Sequence, residues 1–176
     1  MDVNVATGQY EEAMLWCQRE FSSNTHLKDL LSFYNFTAYH NNAPYHSKRN
    51  LRLMCEVAYG KLSKAQHEVL FRKHAEASVA ISAQNATTYT CPVYASLLSL
   101  ALTVVDGLRD QRVLCMAYGS GCAASMFGLE TIGAPIHASD VLTRLRERQP
   151  ASVEDALLLV DAFEMTHRRF GFEPVH

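Results

Sequence analysis

A basic surplus is missing from this 176-residue sequence: 16 Lys and Arg stand against 18 Asp and Glu, a formal charge of −2. Non-specific binding of nucleic acid needs such a surplus to neutralise phosphates, so that class is set aside. Cysteine is scarce and unpatterned. Cys17, Cys55, Cys91, Cys115 and Cys122 form an odd set without a Cys-x-x-Cys pair, which speaks against a disulfide framework or zinc knuckle and fits a reducing compartment. No apolar run reaches the roughly 20 residues of a membrane span. The most apolar stretch, Pro92 to Val105, is interrupted by Ser96, Ser99 and Thr103. The first residues lack the basic-then-apolar order of a secretory signal, and Pro174-Val175-His176 does not match the peroxisomal tripeptide. Repeats, low-complexity tracts and linkers are also missing. The expectation is a cytoplasmic protein with no membrane and no nucleic acid among its partners, folded as one domain over residues 1–176.

What is present is globular. Apolar residues make up 48% and charged residues 19%, and a chain of this length buries roughly 70% of its unfolded surface. Gln9 to Phe21 reads as an amphipathic helix, because Tyr10, Met14, Cys17 and Phe21 follow the spacing that shares one helical face. Phe33 to His40 reads as an aromatic-rich strand, broken by Asn41-Asn42-Ala43-Pro44. Helices are expected over Ser47 to Tyr59, with Ser47 as N-cap and Gly60 as terminator, and over Ser63 to Ala77, with Ser63 and Gln66 in capping-box spacing. Cys91 to Val105, with Pro92 in its first turn, predicts a buried helix covered on two faces. Arg112 to Tyr118 and Ala123 to Glu130 are expected strands around Gly119-Ser120-Gly121. Helices near Ser139 to Arg148 and Ser152 to Arg168, separated by Pro150, complete a mixed α/β fold.

The chemistry-bearing candidates are few. His40 ends an apolar strand, where α/β folds place ligands, and a histidine there suits general acid or base work; the plain alternative is a satisfied, partly exposed side chain. His46 lies in a loop and reads as solvent-exposed. His67 and His74 share a helix face, with nothing to complete a metal ligand set. Lys48, Arg49 and Arg52 in the first turns of a helix can meet a phosphate or thioester oxygen, or form a solvated basic face. The glycines around Ser120 let backbone approach a ligand, as they also do in an ordinary hairpin turn. They do not form a nucleophile elbow, because the strand before them runs into another strand and not into a helix. Asn85, Thr87, Thr88, Tyr89 and Thr90 either cap the apolar helix or line a site. Cys91 is the one cysteine near a helix dipole, and a structural role is the favoured reading for it.

Two segments carry more. Asn85…Tyr89-Thr90-Cys91-Pro92-Val93-Tyr94-Ala95-Ser96-Leu97 is followed by Ala117-Tyr118-Gly119-Ser120-Gly121-Cys122-Ala123-Ala124. Together they resemble 3-hydroxy-3-methylglutaryl-CoA (HMG-CoA) synthase. Gln9-Tyr10 to Cys17, Phe36 to His40 and Glu164-Met165-Thr166-His167 match the same family in the same order. The resemblance is to the C-terminal half alone. It implies a thiolase-like α/β half, a mixed sheet packed against a buried helix and flanking helices.

The resemblance also implies roles. In the family a Cys accepts an acetyl group, a Glu deprotonates its methyl, and the carbanion attacks the ketone of a second thioester that a His anchors and protonates. His40 corresponds to that His. Lys48, like Arg52, falls where polyketide-branching members carry basic residues, Asn85 (or Thr87 in ungapped register) corresponds to the substrate asparagine, and Ser120 to the serine that contacts the acyl group. Departures accompany these matches. Asn41-Asn42-Ala43 separates His40 from Pro44-Tyr45, and no Asn-Ala-Cys-aromatic motif occurs. The N-terminal catalytic half with its Cys and Glu is therefore expected to be absent. The implied partner is an acyl-CoA or acyl-carrier-protein thioester, with a CoA thioester as substrate and no cofactor. A separate N-terminal half would supply the Cys and Glu, and a homodimer is the other expected partner. The implied function is condensation of acetyl-CoA with a 3-oxoacyl thioester in a secondary-metabolite pathway; the alternative is an inactive remnant or a thioester-binding or dimerisation module.

Overall fold

Parallel pairing of two short strands sets the frame. In the computed structural model, residues 3–41, 43–85, 88–104, 108–119, 123–132 and 140–167 are described. Strand β1 (Phe36–Tyr39) runs parallel to β2 (Arg112–Gly119), with Phe36 opposite Val113 and Tyr39 opposite Met116. Strand β3 (Ala123–Glu130) returns antiparallel to β2, so the sheet order is β1-β2-β3. The register puts Gly119 opposite Ala123; Ser120, Gly121 and Cys122 between them lie outside the described residues.

A parallel pair requires a crossover. Here it consists of α3 (Pro44–Tyr59), α4 (Lys64–His74), a 3-10 turn (Glu76–Val79) and α5 (Pro92–Thr103). Helices α1 (Val3–Thr25) and α2 (Leu30–Phe33) precede β1. Alternation along the strands then sorts side chains onto two faces. Tyr39, Leu114 and Met116 join Met14, Leu51, Met54 and Phe71 in one cluster under α1, α3 and α4. Ala38, Val113 and Cys115 face the other way, onto Val93 and Leu100 of α5. Both sheet faces are covered, which matches the expected mixed sheet with flanking helices. The chain divides into two compact units, Met1–Arg146 and Glu147–His176. Helix α6 (Val141–Arg146) closes the first and α7 (Val153–His167) forms the second. Among the described residues, no helix is long and apolar enough to cross a membrane.

Several sequence expectations change at this level. Ser47 is not an N-cap: α3 starts at Pro44, whose missing N–H is harmless there, and Ser47 is buried inside the helix. Phe33 belongs to α2 and not to a strand. Asp29 caps that turn, accepting from the N–H groups of Leu31 and Ser32 at 3.1 Å each. Helix α5 buries one face and not two. Its buried set includes Ser96 and Ser99, while Tyr94 points outward. The serines that look like interruptions in the sequence are the buried contacts: the Ser99 hydroxyl accepts from Ile81 N–H at 3.0 Å and donates to Ala95 O at 2.7 Å. The capping box at Ser63 forms as expected, and Gly60 ends α3 at φ 77°.

Candidate functional site

The C-terminal end of the β1–β2 pair gathers side chains from five elements. The His40 N–H extends the ladder to Met116 O at 2.7 Å. The His40 ring is half-buried and lies edge-on to Tyr118, with centroids 6.4 Å apart. Tyr118 in turn meets Tyr10 of α1 edge-on at 4.9 Å. The Tyr10 hydroxyl donates to the His40 carbonyl at 2.8 Å and accepts from Asn50 Nδ2 of α3 at 2.8 Å. Burial pushes the Tyr10 pKa well above its ordinary value, with Tyr118 adding to the shift and the Asn50 hydrogen bond opposing it. That hydroxyl therefore stays a donor. Burial alone lowers the His40 pKa below the usual imidazole value of 6.5, so the ring is neutral at pH 7 and offers one donor and one acceptor.

The residue after His40 is tied on the other side. Asn41 is 3% exposed, and its Nδ2 donates to Tyr39 O at 3.0 Å and to Ser96 Oγ at 2.9 Å. The Ser96 hydroxyl donates to the same Tyr39 carbonyl at 3.0 Å. The end of β1 is thereby fixed to the first turns of α5. Tyr10, Asn41, Asn50, Ser96 and Tyr118 were not among the sequence candidates. Asn50 carried a usable signal, being a polar residue between Ser47 and Met54 on the buried face of α3, where an amide must find partners.

The other candidates are placed less centrally. Lys48 forms an ion pair with Glu68 of α4, which also holds Arg72 at 3.2 Å, and its ammonium lies 5.1 Å from the centre of the Phe71 ring. Arg52 pairs with Glu56 along its own helix at 2.9 Å. Arg49 forms an ion pair with Glu11 of α1, one residue from Tyr10. His46 is half-buried rather than free in solvent, and it stacks on Tyr45 at 4.0 Å. Asn85 is half-buried at the end of the turns that follow the 3-10 segment. Ser120 and Thr87 lie outside the described residues. His74 is a core residue, its Nδ1 donating to Asn35 O at 2.9 Å, and His67 is also buried.

Cys17, Cys55 and Cys115 are not set up as nucleophiles. Burial raises the thiol of Cys17, of Cys55 to about 11 and of Cys115 to about 12, which leaves them protonated at neutral pH. Cys91 is exposed beside Thr90, at 3.9 Å, so the structural role read for it from sequence has no packing behind it. Among the described residues no three His, Cys, Asp or Glu side chains stand together as a metal site. A separate open groove of about 780 Å³ runs along another flank of α1, between Glu12, Trp16, Arg19 and Ala124.

The sequence profile described as "Hydroxymethylglutaryl-coenzyme A synthase C terminal" matches residues 22–175. The mitochondrial HMG-CoA synthase of Homo sapiens is 30% identical over 124 residues, which is 64% of this chain and 24% of that protein. The cytoplasmic enzyme of Mus musculus is 40% identical over 83 residues, 46% of this chain and 16% of that protein. The HMG synthase of the curacin biosynthetic pathway, solved in complex with holo donor-ACP, superposes with a TM-score of 0.79 at 19% identity, covering 90% of this chain and 39% of that one. PksG, an HMG-CoA synthase from Bacillus subtilis, gives a TM-score of 0.73 at 18% identity over 94% of this chain and 40% of that one. The chain thus spans about a quarter or less of these two mammalian relatives and about two fifths of these two solved structures.

Proposed function

The chain belongs to the hydroxymethylglutaryl-coenzyme A synthase family, and from that premise we propose that it forms the second-substrate side of a carbon–carbon bond-forming acyltransferase. The observation that carries this reading is the half-buried His40 ring at the end of the parallel strand pair, with the backbone on both sides of it held by side chains. A neutral imidazole there donates its N–H to the ketone oxygen of a 3-oxoacyl thioester. As the acetyl carbanion bonds to the ketone carbon, the C=O π electrons move onto oxygen, where that N–H stabilises the alkoxide; the alkoxide then takes its proton from the protonated fraction of the ring, which solvent restores. The acetyl-carrying cysteine and the carboxylate that removes the methyl proton come from outside residues 1–176. In this reading Lys48, Asn85 and Ser120 are the residues assigned to contact the thioester, on the family resemblance alone.

In this reading the pathway is of the polyketide type and its acyl groups, the acetyl donor among them, travel on acyl carrier proteins. Support comes from the curacin-pathway synthase, a structural neighbour solved with its donor carrier protein. Titration of the full chain with acetoacetyl-CoA and with a 3-oxoacyl carrier protein, followed by calorimetry, tests the binding half of the proposal. Mixing with a separately expressed N-terminal half of a family member tests turnover. Binding that vanishes in His40→Ala, with condensation in the mixture, supports the reading. Binding without turnover in any pairing reduces the chain to a thioester-binding module, and absence of both sinks the proposal.

A further inference from the structure

We propose that Tyr10 and Asn50 are positioning residues for His40, acting as a one-way hydrogen-bond relay that fixes the backbone from which the imidazole projects. The inference rests on the reading of His40 given above. Its basis is the polarity of two contacts. The His40 carbonyl can only accept, so the single proton of the Tyr10 hydroxyl must point to it across 2.8 Å. With that proton committed, the phenol oxygen can only accept from α3, and Asn50 must present its N–H, again at 2.8 Å. Asn50 is 1% exposed, so its amide has no competing water to turn toward.

The relay joins three elements: α1 supplies the hydroxyl, α3 orients it, and the residue that follows β1 receives it. It also has an aromatic lining. The Tyr10 ring stands edge-on to Tyr118, which stands edge-on to the His40 ring, so moving Tyr10 disturbs His40 through both its backbone and its ring. Burial keeps the phenol protonated, which preserves the direction of the relay.

Direction gives a test that simple deletion does not. Tyr10→Phe keeps the ring against Tyr118 and removes both hydrogen bonds. Asn50→Asp keeps the shape but replaces a donor by an acceptor, which draws the phenol proton away from His40. Each variant of the full chain is read three ways: by the ring resonances of His40, by those of His74 at the far end of β1, and by acetoacetyl-CoA titration.

The expected result is a shifted His40 resonance in both variants, an unchanged His74 resonance, and thioester binding weakened about tenfold, the scale of one lost hydrogen bond. Asn50→Ser, which can still donate, should recover part of the His40 shift that Asn50→Asp produces. An unmoved His40 resonance in Tyr10→Phe and Asn50→Asp overturns the relay. So does equal displacement of His40 and His74, because it would show that the pair holds the fold as a whole. If the unaltered chain binds no thioester, the functional reading fails alone and the resonances still decide the relay.

Discussion

The two ends of β1 are built from the same kit of imidazole, asparagine and backbone carbonyl, but they use it in opposite ways. At the N-terminal end Asn35 is locked to β2: its side-chain oxygen accepts from Arg112 N–H and its own N–H donates to Arg112 O, both at 2.9 Å. Its carbonyl takes the His74 ring N–H, and His74 is 2% exposed. The imidazole is itself a structural tie. At the C-terminal end the ties are made by Tyr10, Asn50, Asn41 and Ser96, and the His40 ring rests half-buried against Tyr118. A histidine whose ring is spent on a carbonyl holds a fold together. One whose backbone is held by its neighbours keeps its ring for a ligand.

The sealed end should resist change most strongly. A Cβ at Gly128 would collide with the Tyr34 hydroxyl and lie 2.8 Å from its ring carbons, and Tyr34 is 6% exposed with little room to retreat. Gly128→Ala is therefore expected to cost about 3 kcal/mol in the urea midpoint; a loss under about 1 kcal/mol would show that this end is softer than its packing suggests. Next comes the contrast between the two imidazoles. His74→Ala should cost about 2 to 3 kcal/mol by leaving a cavity and an unpaired Asn35 carbonyl. His40→Ala should cost less than about 1 kcal/mol and yet remove thioester binding. Equal costs in thermal melts would erase the distinction between the ends.

Asn41→Ala removes donors to two groups beside His40 and is expected to cost about 1 to 2 kcal/mol. Ser63→Ala, remote from both ends, removes one half of a capping box and should cost about 1 kcal/mol with thioester binding unchanged. The last effect vanishes at pH 7. His40, His46, His67 and His74 all have pKa values lowered below 6.5, each chiefly by burial. Arg49 lowers and Glu11 raises His46, Arg52 lowers and Glu56 raises His67, and Lys73 lowers His74 against the Asn35 hydrogen bond and Asp29. The unfolded chain thus binds protons first as pH falls. The stability these groups contribute is fully present above about pH 6.5 and declines below it, through the lowered folded values. Melting temperatures between pH 7.5 and 5.5 report this slope, and His74→Phe should flatten it more than Lys48→Ala.

Much of the fold is legible in the residues themselves. The short apolar run of Arg112 to Tyr118 identifies β2 as a buried strand, and the glycine-bounded turn signal after it marks where β3 begins. Ser63 with Gln66 and Gly60 mark helix ends because each supplies a local hydrogen bond or backbone conformation. Local signals mislead where two compete. Ser47 looks like a cap, but Pro44 three residues earlier already opens the helix. Composition misleads at α5, where an almost wholly apolar run conceals that Ser96 and Ser99 face inward.

His40 was legible as a candidate, through the strand that ends at it and the family motif around it, and the HMG-CoA synthase resemblance extends along nearly the whole chain. Its surroundings were not. Tyr10, Asn50, Ser96 and Tyr118 are far from His40 in sequence, and nothing in their spacing tells which will meet it.

The amino-acid order determined the helices, the hairpin strands and the family, because periodicity, capping and motif order act over a few residues at a time. The parallel pairing of β1 with β2 and the direction of the proton between Tyr10 and His40 were decided only when distant segments packed together. A hydrogen bond needs two groups within about 3 Å, and no rule of sequence spacing sets that distance across separate elements.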